Sequence, residues 1–137
     1  MRLISVLMAG AVLASCTTGP PAPTFRSADA QRQYDQMLTG KVAEAPMSCL
    51  PNYRANDMIR IDENTILFRD GSRRTYVAHM QGPCTGLVSG HYALVTKQFG
   101  GQGLCRGDIA QVVDTLNGIP IGSCVWGDFT PYVSPRG

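Results

Sequence analysis

The sequence predicts a mainly β protein: a small antiparallel barrel or sandwich of about six strands, with one N-terminal helix and two disulfides. Three observations lead to this fold class. Short strand-like runs recur between residues 58 and 129, at the close spacing typical of small all-β domains. Two dipeptides between these runs, Asp70-Gly71 and Asn117-Gly118, favour tight hairpin turns. Four cysteines lie between residues 49 and 124.

The predicted strands are rich in β-branched and aromatic residues, which favour the extended conformation. They are Met58–Ile61, Thr65–Arg69, Thr75–Met80, Tyr92–Phe99, Asp108–Thr115 and Ile119–Phe129. Each run is bounded by glycine, proline, asparagine or aspartate, so each is a separate strand in the prediction.

One stretch, residues 27–40, has a helical pattern. Ser27 can cap the first turn, and Gly40 can end the last turn in a left-handed conformation. Three apolar residues share one face of this helix: Tyr34, Met37 and Leu38. We therefore predict an N-terminal helix at 27–40, followed by a disulfide-containing β domain at 47–133.

The first 16 residues resemble a bacterial lipoprotein signal. Arg2 supplies the positive start, and the apolar run from Leu3 to Val12 is shorter than the roughly 20 residues that span a bilayer. Leu13-Ala14-Ser15-Cys16 has the residue order of a lipobox. The resemblance implies that residues 1–15 are removed and that Cys16 is acylated. An ordinary signal that is cut elsewhere is the alternative.

The residues after Cys16 predict a tether and a location. Residues 16–26 are the predicted tether, because Pro20, Pro21 and Pro23 favour an extended chain. Thr17 follows the acylated cysteine, and in lipoproteins of this type a residue other than aspartate there implies the outer membrane. We expect a lipid-anchored protein at the periplasmic face of the outer membrane.

The net charge of the chain indicates which classes of partner to expect. The chain has 12 Lys and Arg and 10 Asp and Glu residues, for a net charge of +2. A nearly neutral chain without a basic block argues against nucleic acid as a partner. We expect the membrane, through the lipid on Cys16, and an envelope protein as partners. We expect no cofactor.

The four cysteines predicted to remain beside the acylated one are Cys49, Cys84, Cys105 and Cys124. An even number in an exported chain is typical of disulfides. No two of them have the close spacing of a zinc site. We therefore predict two disulfides and no metal, with three pairings to distinguish.

The predicted two-residue hairpin loop limits the pairing. It places Cys124 opposite Gln111, so that Cys105 lies roughly 20 Å away along the strand, which is beyond the reach of a disulfide. A Cys105–Cys124 bridge is therefore disfavoured, and Cys49–Cys84 with it. We favour Cys84–Cys105 with Cys49–Cys124, because the glycine-rich loop before Cys105 lets the chain turn back. Cys49–Cys105 with Cys84–Cys124 is the alternative.

No set of residues predicts catalysis, so we name no catalytic residue. Nucleophilic catalysis usually needs a histidine base, and the two histidines are His79, inside a predicted strand, and His91, in an exposed turn. Asp108 and Asp128 each follow glycine and precede an apolar residue. We favour a structural role for these carboxylates, which would accept backbone N–H groups at a strand start.

Five residues are candidates for a binding surface: Trp126, His91, Tyr92, Arg106 and Asp108. Trp126 is either a core residue, which we favour, or an exposed recognition residue. Arg106-Gly107-Asp108 matches an adhesion tripeptide, but we interpret it as a turn into a strand because it follows a disulfide cysteine.

Three segments carry a resemblance to a known group of proteins. They are Cys84-Thr-Gly-Leu87, Leu104-Cys-Arg-Gly-Asp108 and Cys124-Val-Trp-Gly-Asp-Phe129. The chain resembles small four-cysteine proteobacterial lipoproteins of the domain-of-unknown-function kind over roughly residues 49–131. The resemblance implies an envelope location and a compact β domain, and it implies no established activity.

These observations leave three functional hypotheses. The first is a non-enzymatic envelope module that is structural or binds a protein. The second is an inhibitor of a cell-wall hydrolase, because Ser89-Gly90-His91-Tyr92 and Thr96-Lys97 resemble parts of the membrane-bound lysozyme inhibitors. The third is a small envelope enzyme that uses Asp108, Asp128 or His91.

Overall fold

The computed structural model describes residues 26–50, 57–98 and 103–136. The predicted signal at 1–15, and the predicted tether up to residue 25, lie outside the described residues. The helix α1 (Ala28–Leu38) begins after Ser27, whose side chain accepts a hydrogen bond from the Ala30 N–H, as the capping prediction requires. No helix in the described part of the chain is long and apolar enough to cross a membrane.

The described strands confirm the mainly β fold class. They are β1 (Val42–Ala43), β2 (Cys49–Leu50), β3 (Met58–Arg60), β4 (Thr65–Asp70), β5 (Arg74–Gln81), β6 (Tyr92–Lys97), β7 (Leu104–Cys105), β8 (Ile109–Asp114) and β9 (Pro120–Val133). The six longer ones correspond to the six predicted strands. The other three have two residues each, which is too short for an alternating pattern, and β1 extends the sheet ahead of the predicted start at residue 47.

The main sheet is antiparallel and curls into a half-barrel. Its strand order is β3-β4-β5-β9-β8-β6, with β1 added beside β9, while β2 and β7 form a separate pair. The 14-residue strand β9 pairs with β8 through its first half and with β5 through its second half. This long shared strand joins the two halves of the curl.

The two faces of the sheet bury different apolar clusters. The larger cluster lies inside the curl, because both edge strands contribute to it through Met58 and Leu94. The smaller cluster contains Leu67 and Val77 and is covered by α1. The helix covers it with the apolar face predicted from the sequence, to which Ala30 is added: Ala30, Tyr34, Met37 and Leu38.

Alternating strand directions sort the loops into two ends of the sheet. The proximal end holds Arg26, the β3–β4 turn at 61–64, the β5–β6 loop at 82–91 and the β8–β9 loop at 115–119. Arg26 belongs there because its Nε donates to Asp62 Oδ2 at 2.7 Å. The distal end holds the β4–β5 turn and the β2–β7 pair.

The disulfides are Cys49–Cys105 and Cys84–Cys124. All four predicted cysteines are paired, and the disfavoured Cys105–Cys124 bridge is absent. The favoured nesting of Cys84–Cys105 with Cys49–Cys124 is nevertheless wrong. The β2–β7 pairing places Cys49 directly opposite Cys105, with the Cα atoms 4.0 Å apart. Cys84 lies instead beside Cys124 of β9, with the Cα atoms 5.4 Å apart.

The β8–β9 hairpin also differs from the prediction. The loop is longer than two residues, because the Asp114 N–H donates to the Ile119 carbonyl and the Gly118 N–H donates to the Asp114 carbonyl. A register shift follows between Val112 and Val113. Cys124 therefore lies opposite Ala110 rather than Gln111.

Gly127 is required by a close backbone approach in this fold. The β5–β9 register shifts between Ala78 and Met80, and a Cβ at Gly127 would lie under 3.0 Å from the His79 carbonyl oxygen. We expect Gly127→Ala to lower the free energy of unfolding by about 1–3 kcal/mol, measured by urea denaturation. Gly90→Ala, which meets no atom within 4 Å, is the matched control. Equal stability of the two variants would contradict the close approach.

Candidate functional site

Trp126 is a core residue, as predicted from the sequence. It therefore does not belong to the candidate binding surface. Its side chain is buried, and its ring stacks on Phe129 with centroids 5.9 Å apart. Its Nε1 donates to Thr96 Oγ1 at 3.3 Å. The polar atom of the indole is therefore satisfied within the fold, which is the usual arrangement for a buried tryptophan.

Asp108 is also buried, so it is not an exposed recognition residue. Its carboxylate accepts the Cys105 N–H at 2.8 Å, and its carbonyl accepts the Trp126 N–H at 3.0 Å. This is the structural role predicted for it at the start of a strand. Asp128 instead lies 3.3 Å from Arg106 in an exposed ion pair, which contributes little to stability.

The remaining candidates lie at opposite ends of the sheet. Arg106 is at the distal end, while His91 and the half-buried Tyr92 are at the proximal end. The His91 carbonyl accepts the N–H and the hydroxyl of Thr115, at 2.9 and 2.8 Å. The five candidates therefore do not form one surface. His91 and Asp108 are separated by the length of β8, so they do not form a catalytic pair.

Among the described residues, the exposed large apolar side chains other than Val42 fall on two surfaces, and neither surface was predicted from the sequence. The first, which we call the proximal surface, lies on the β5–β6 loop, the β8–β9 loop and the first residues of β9. It consists of Leu116 (79 % exposed), Ile119 (57 %), Val88 (51 %) and Ile121 (44 %). The individual residues resemble ordinary loop residues in the sequence, and only the chain topology places both loops at one end.

Direct contacts hold the two loops of the proximal surface together. A Cβ built at Gly86 would meet Ile121 Cδ1 at 2.9 Å and the Tyr92 ring at 3.1 Å. The Cys84–Cys124 disulfide joins the β5–β6 loop to β9. Residues 82–91 and 115–121 contain no Asp, Glu, Lys or Arg. These two segments therefore carry no charged side chain of their own, and the disulfide holds the β5–β6 loop against β9.

The second surface, which we call the open sheet face, is carried by β6 and β8. Because side chains alternate along a strand and Ala110 and Val112 point into the core, Ile109 points to the opposite face. Val95 in β6 shares this face, since it pairs with Gln111. Val95 is 46 % exposed and Ile109 is 37 % exposed. The helix covers the same side of the sheet over β4 and β5 and leaves this part open.

A polar cluster fixes the start of the described chain. Arg26 donates to Asp62 at 2.7 Å and to Thr65 Oγ1 at 3.0 Å, and its guanidinium lies 4.2 Å from the centre of the Tyr34 ring. Because both the ion pair and the cation–π contact are partly shielded from water, they are stronger than exposed equivalents. The pairing was not predictable, since Arg26 and Asp62 are 36 residues apart.

The side chain of His79 lies beside this cluster, with Nδ1 3.5 Å from Thr65 Oγ1. Partial desolvation beside this cluster lowers the pKa of His79; the Asp62 charge opposes the shift, and the Arg26 charge adds to it. The unfolded chain then binds a proton more readily than the folded one as the pH falls below about 6.5.

We expect the melting temperature to decrease as the pH is lowered below that value, because protonation of His79 favours the unfolded chain. His79→Gln should flatten this slope, whereas His91→Gln should retain it; equal slopes in all three proteins would contradict the assignment.

The described residues contain no group of three or more His, Cys, Asp and Glu side chains that could hold a metal ion. A scan of protein-family models and searches of curated proteins and of solved structures gave no match. The proposed function therefore rests on the sequence, the fold and its exposed surfaces.

Proposed function

We propose that this chain is a bacterial envelope lipoprotein, anchored through Cys16 at the periplasmic face of the outer membrane, and that its β domain is a non-enzymatic module that binds another envelope protein. The Leu13-Ala14-Ser15-Cys16 segment supports the anchor. The exported setting is consistent with the two disulfides, which persist in oxidising compartments.

The open sheet face is the observation that supports a protein partner. Val95 and Ile109 present apolar side chains next to the polar side chains of Gln111 and Lys97. Protein interfaces combine an apolar centre with a polar rim in the same way. The positions of Asp108 and His91 favour a non-enzymatic role. The Asp108 carboxylate accepts a backbone N–H group at the start of β8, and His91 lies at the opposite end of that strand.

Metabolic labelling tests the anchor. We expect a fatty-acid label on the wild-type protein and none on Cys16→Ala, because the thiol of Cys16 is the acylation site. Equal labelling of the two proteins would refute the anchor at this position.

Photo-crosslinking in cells tests the partner surface. A photoreactive residue at position 95 should give a discrete crosslinked protein that mass spectrometry identifies. The same residue at position 33, on the exposed side of α1, is the control and should not give that product. Ile109→Lys should abolish the product from position 95. Identical products from both positions would contradict a specific face.

Inhibition of a cell-wall hydrolase is a second candidate. One observation favours it: Ser89, Gly90 and His91 are exposed in the β5–β6 loop, which is where the resemblance to lysozyme inhibitors falls. The full mature protein added to a lysozyme assay should then slow lysis, and His91→Ala should weaken the effect. An unchanged lysis rate with the wild-type protein would exclude this candidate.

A further inference from the structure

We propose that the proximal surface docks on the lipid bilayer to which the protein is anchored, with Val88, Leu116, Ile119 and Ile121 entering the headgroup region. This inference rests on the proposed lipid anchor at Cys16 and adds a second, non-covalent contact with the same membrane. It also gives the domain a fixed orientation on the membrane.

The first support is the position at which the chain reaches the domain. Arg26 is held at the proximal end by Asp62 and Thr65. Cys16 lies ten residues before Arg26 in the sequence, and ten residues span at most about 35 Å. The proposed anchor at Cys16 therefore lies within about 35 Å of the proximal end.

Hydrogen bonds connect Arg26 to the apolar loops. The β3–β4 turn, which contains Asp62, accepts the Cys84 N–H through the Glu63 carbonyl at 2.7 Å and the Gly86 N–H through the Glu63 carboxylate at 3.3 Å. The β5–β6 loop is joined in turn to the β8–β9 loop through Thr115. The exposed apolar residues thus belong to one connected structure with the attachment point.

The second support is the chemistry of the surface. Its two loops contain no charged side chain, so the four apolar side chains can enter the headgroup region without taking an ion of these loops out of water, which is a costly step. The bordering carboxylates of Glu63 and Asp114 accept backbone N–H groups of the loops. The nearest cation in the β3 strand, Arg60, donates to the Tyr92 carbonyl at 2.8 Å. The surface therefore fits a neutral, zwitterionic bilayer, and attraction to anionic lipid plays no part in the proposal.

The third support is the hydrogen bonding within the β8–β9 loop. The Leu116 N–H donates to the Asp114 carboxylate at 2.8 Å, and the Ile119 N–H donates to the Asn117 side chain at 2.9 Å. The Gly118 N–H donates to the Asp114 carbonyl. These donors are satisfied before docking, so entering the interface does not leave them unpaired, which would oppose insertion.

The proposal is tested with the full acylated protein in vesicles of phosphatidylcholine whose acyl chains carry bromine, a contact quencher of tryptophan fluorescence. Leu116→Trp places the probe on the proximal surface, at a site exposed enough to tolerate it. Val95→Trp on the open sheet face is the matched control, and the wild-type protein gives the signal of the buried Trp126. We expect quenching and a blue-shifted emission for Leu116→Trp, unaffected by added salt, and neither change for Val95→Trp.

Several outcomes would overturn the docking. They are equal quenching of the two variants, no quenching of Leu116→Trp, or protection of Leu116→Trp by a bound envelope protein instead of lipid. Mass spectrometry of the same samples reads acylation separately. A protein without acyl chains refutes the proposed anchor, whereas an acylated protein whose Leu116→Trp probe stays unquenched refutes the docking alone.

Discussion

Replacing Trp126 with alanine is expected to lower the free energy of unfolding by about 3–5 kcal/mol. The side chain is buried at the centre of the larger cluster, between Phe68 at 5.7 Å and Phe129 at 5.9 Å between ring centroids. Its removal takes away the packing against both rings and leaves a cavity in the core, where Phe68, Phe129 and Thr96 now contact the indole. Urea denaturation followed by circular dichroism measures the loss, which is large beside the roughly 5–15 kcal/mol total of a typical domain.

Two variants make the Trp126 prediction specific. Ile119→Ala removes an exposed apolar side chain and should change stability by less than about 0.5 kcal/mol. Trp126→Phe keeps most of the ring packing but loses the hydrogen bond to Thr96, so its loss should be intermediate. A Trp126→Ala protein as stable as the Ile119→Ala control would show that the indole is not in the core.

Removal of the Cys84–Cys124 bridge is also expected to lower the free energy of unfolding strongly. The two cysteines are 40 residues apart in the sequence, for which the chain-entropy model predicts a loss of about 4 kcal/mol. Both side chains are also buried in the larger cluster, so the paired substitution Cys84→Ala with Cys124→Ala loses packing as well. We expect this double variant to melt at a markedly lower temperature than the wild type.

The Cys49–Cys105 bridge is the matched comparison. Its cysteines are 56 residues apart in the sequence, so the same model predicts a similar entropic loss, about 4 kcal/mol. Its cysteines are half-buried and join the short β2–β7 pair outside the main sheet. Under native conditions dithiothreitol should therefore reduce Cys49–Cys105 first. Prior reduction of Cys84–Cys124, or a peptide map that joins Cys84 to Cys105, would contradict the structure.

The two exposed surfaces have compatible geometries. The proximal surface lies at one end of the strands, whereas the open sheet face lies on their side. A domain that docks on the bilayer through its proximal end would therefore present Val95 and Ile109 laterally, where an envelope protein could reach them. The membrane proposal and the partner proposal thus use different parts of the molecule.

Local features of the sequence were sufficient for the helix and the six longer strands. The β-branched and aromatic residues of β4 and β5 and the helix cap at Ser27 are signals within a few positions of one another, and the structure places these elements as predicted. The hairpin signal at Asp70-Gly71 was also reliable, since Gly71 adopts the left-handed conformation that the turn requires.

Local patterns in the sequence were enough to predict the fold class, the succession of the six main strands along the chain, the pairing of all four cysteines and the structural role of Asp108. Which cysteines pair with each other, and the placement of Leu116 and Val88 at the same end as Arg26, became evident only in the folded protein. Strand spacing is a local property, whereas disulfide partners and surfaces depend on strand direction and sheet order. The β8–β9 hairpin illustrates this limit of prediction from sequence. Its register differs by one residue from the predicted register, so Cys124 lies opposite Ala110 instead of Gln111. No local pattern in the sequence indicates such a shift.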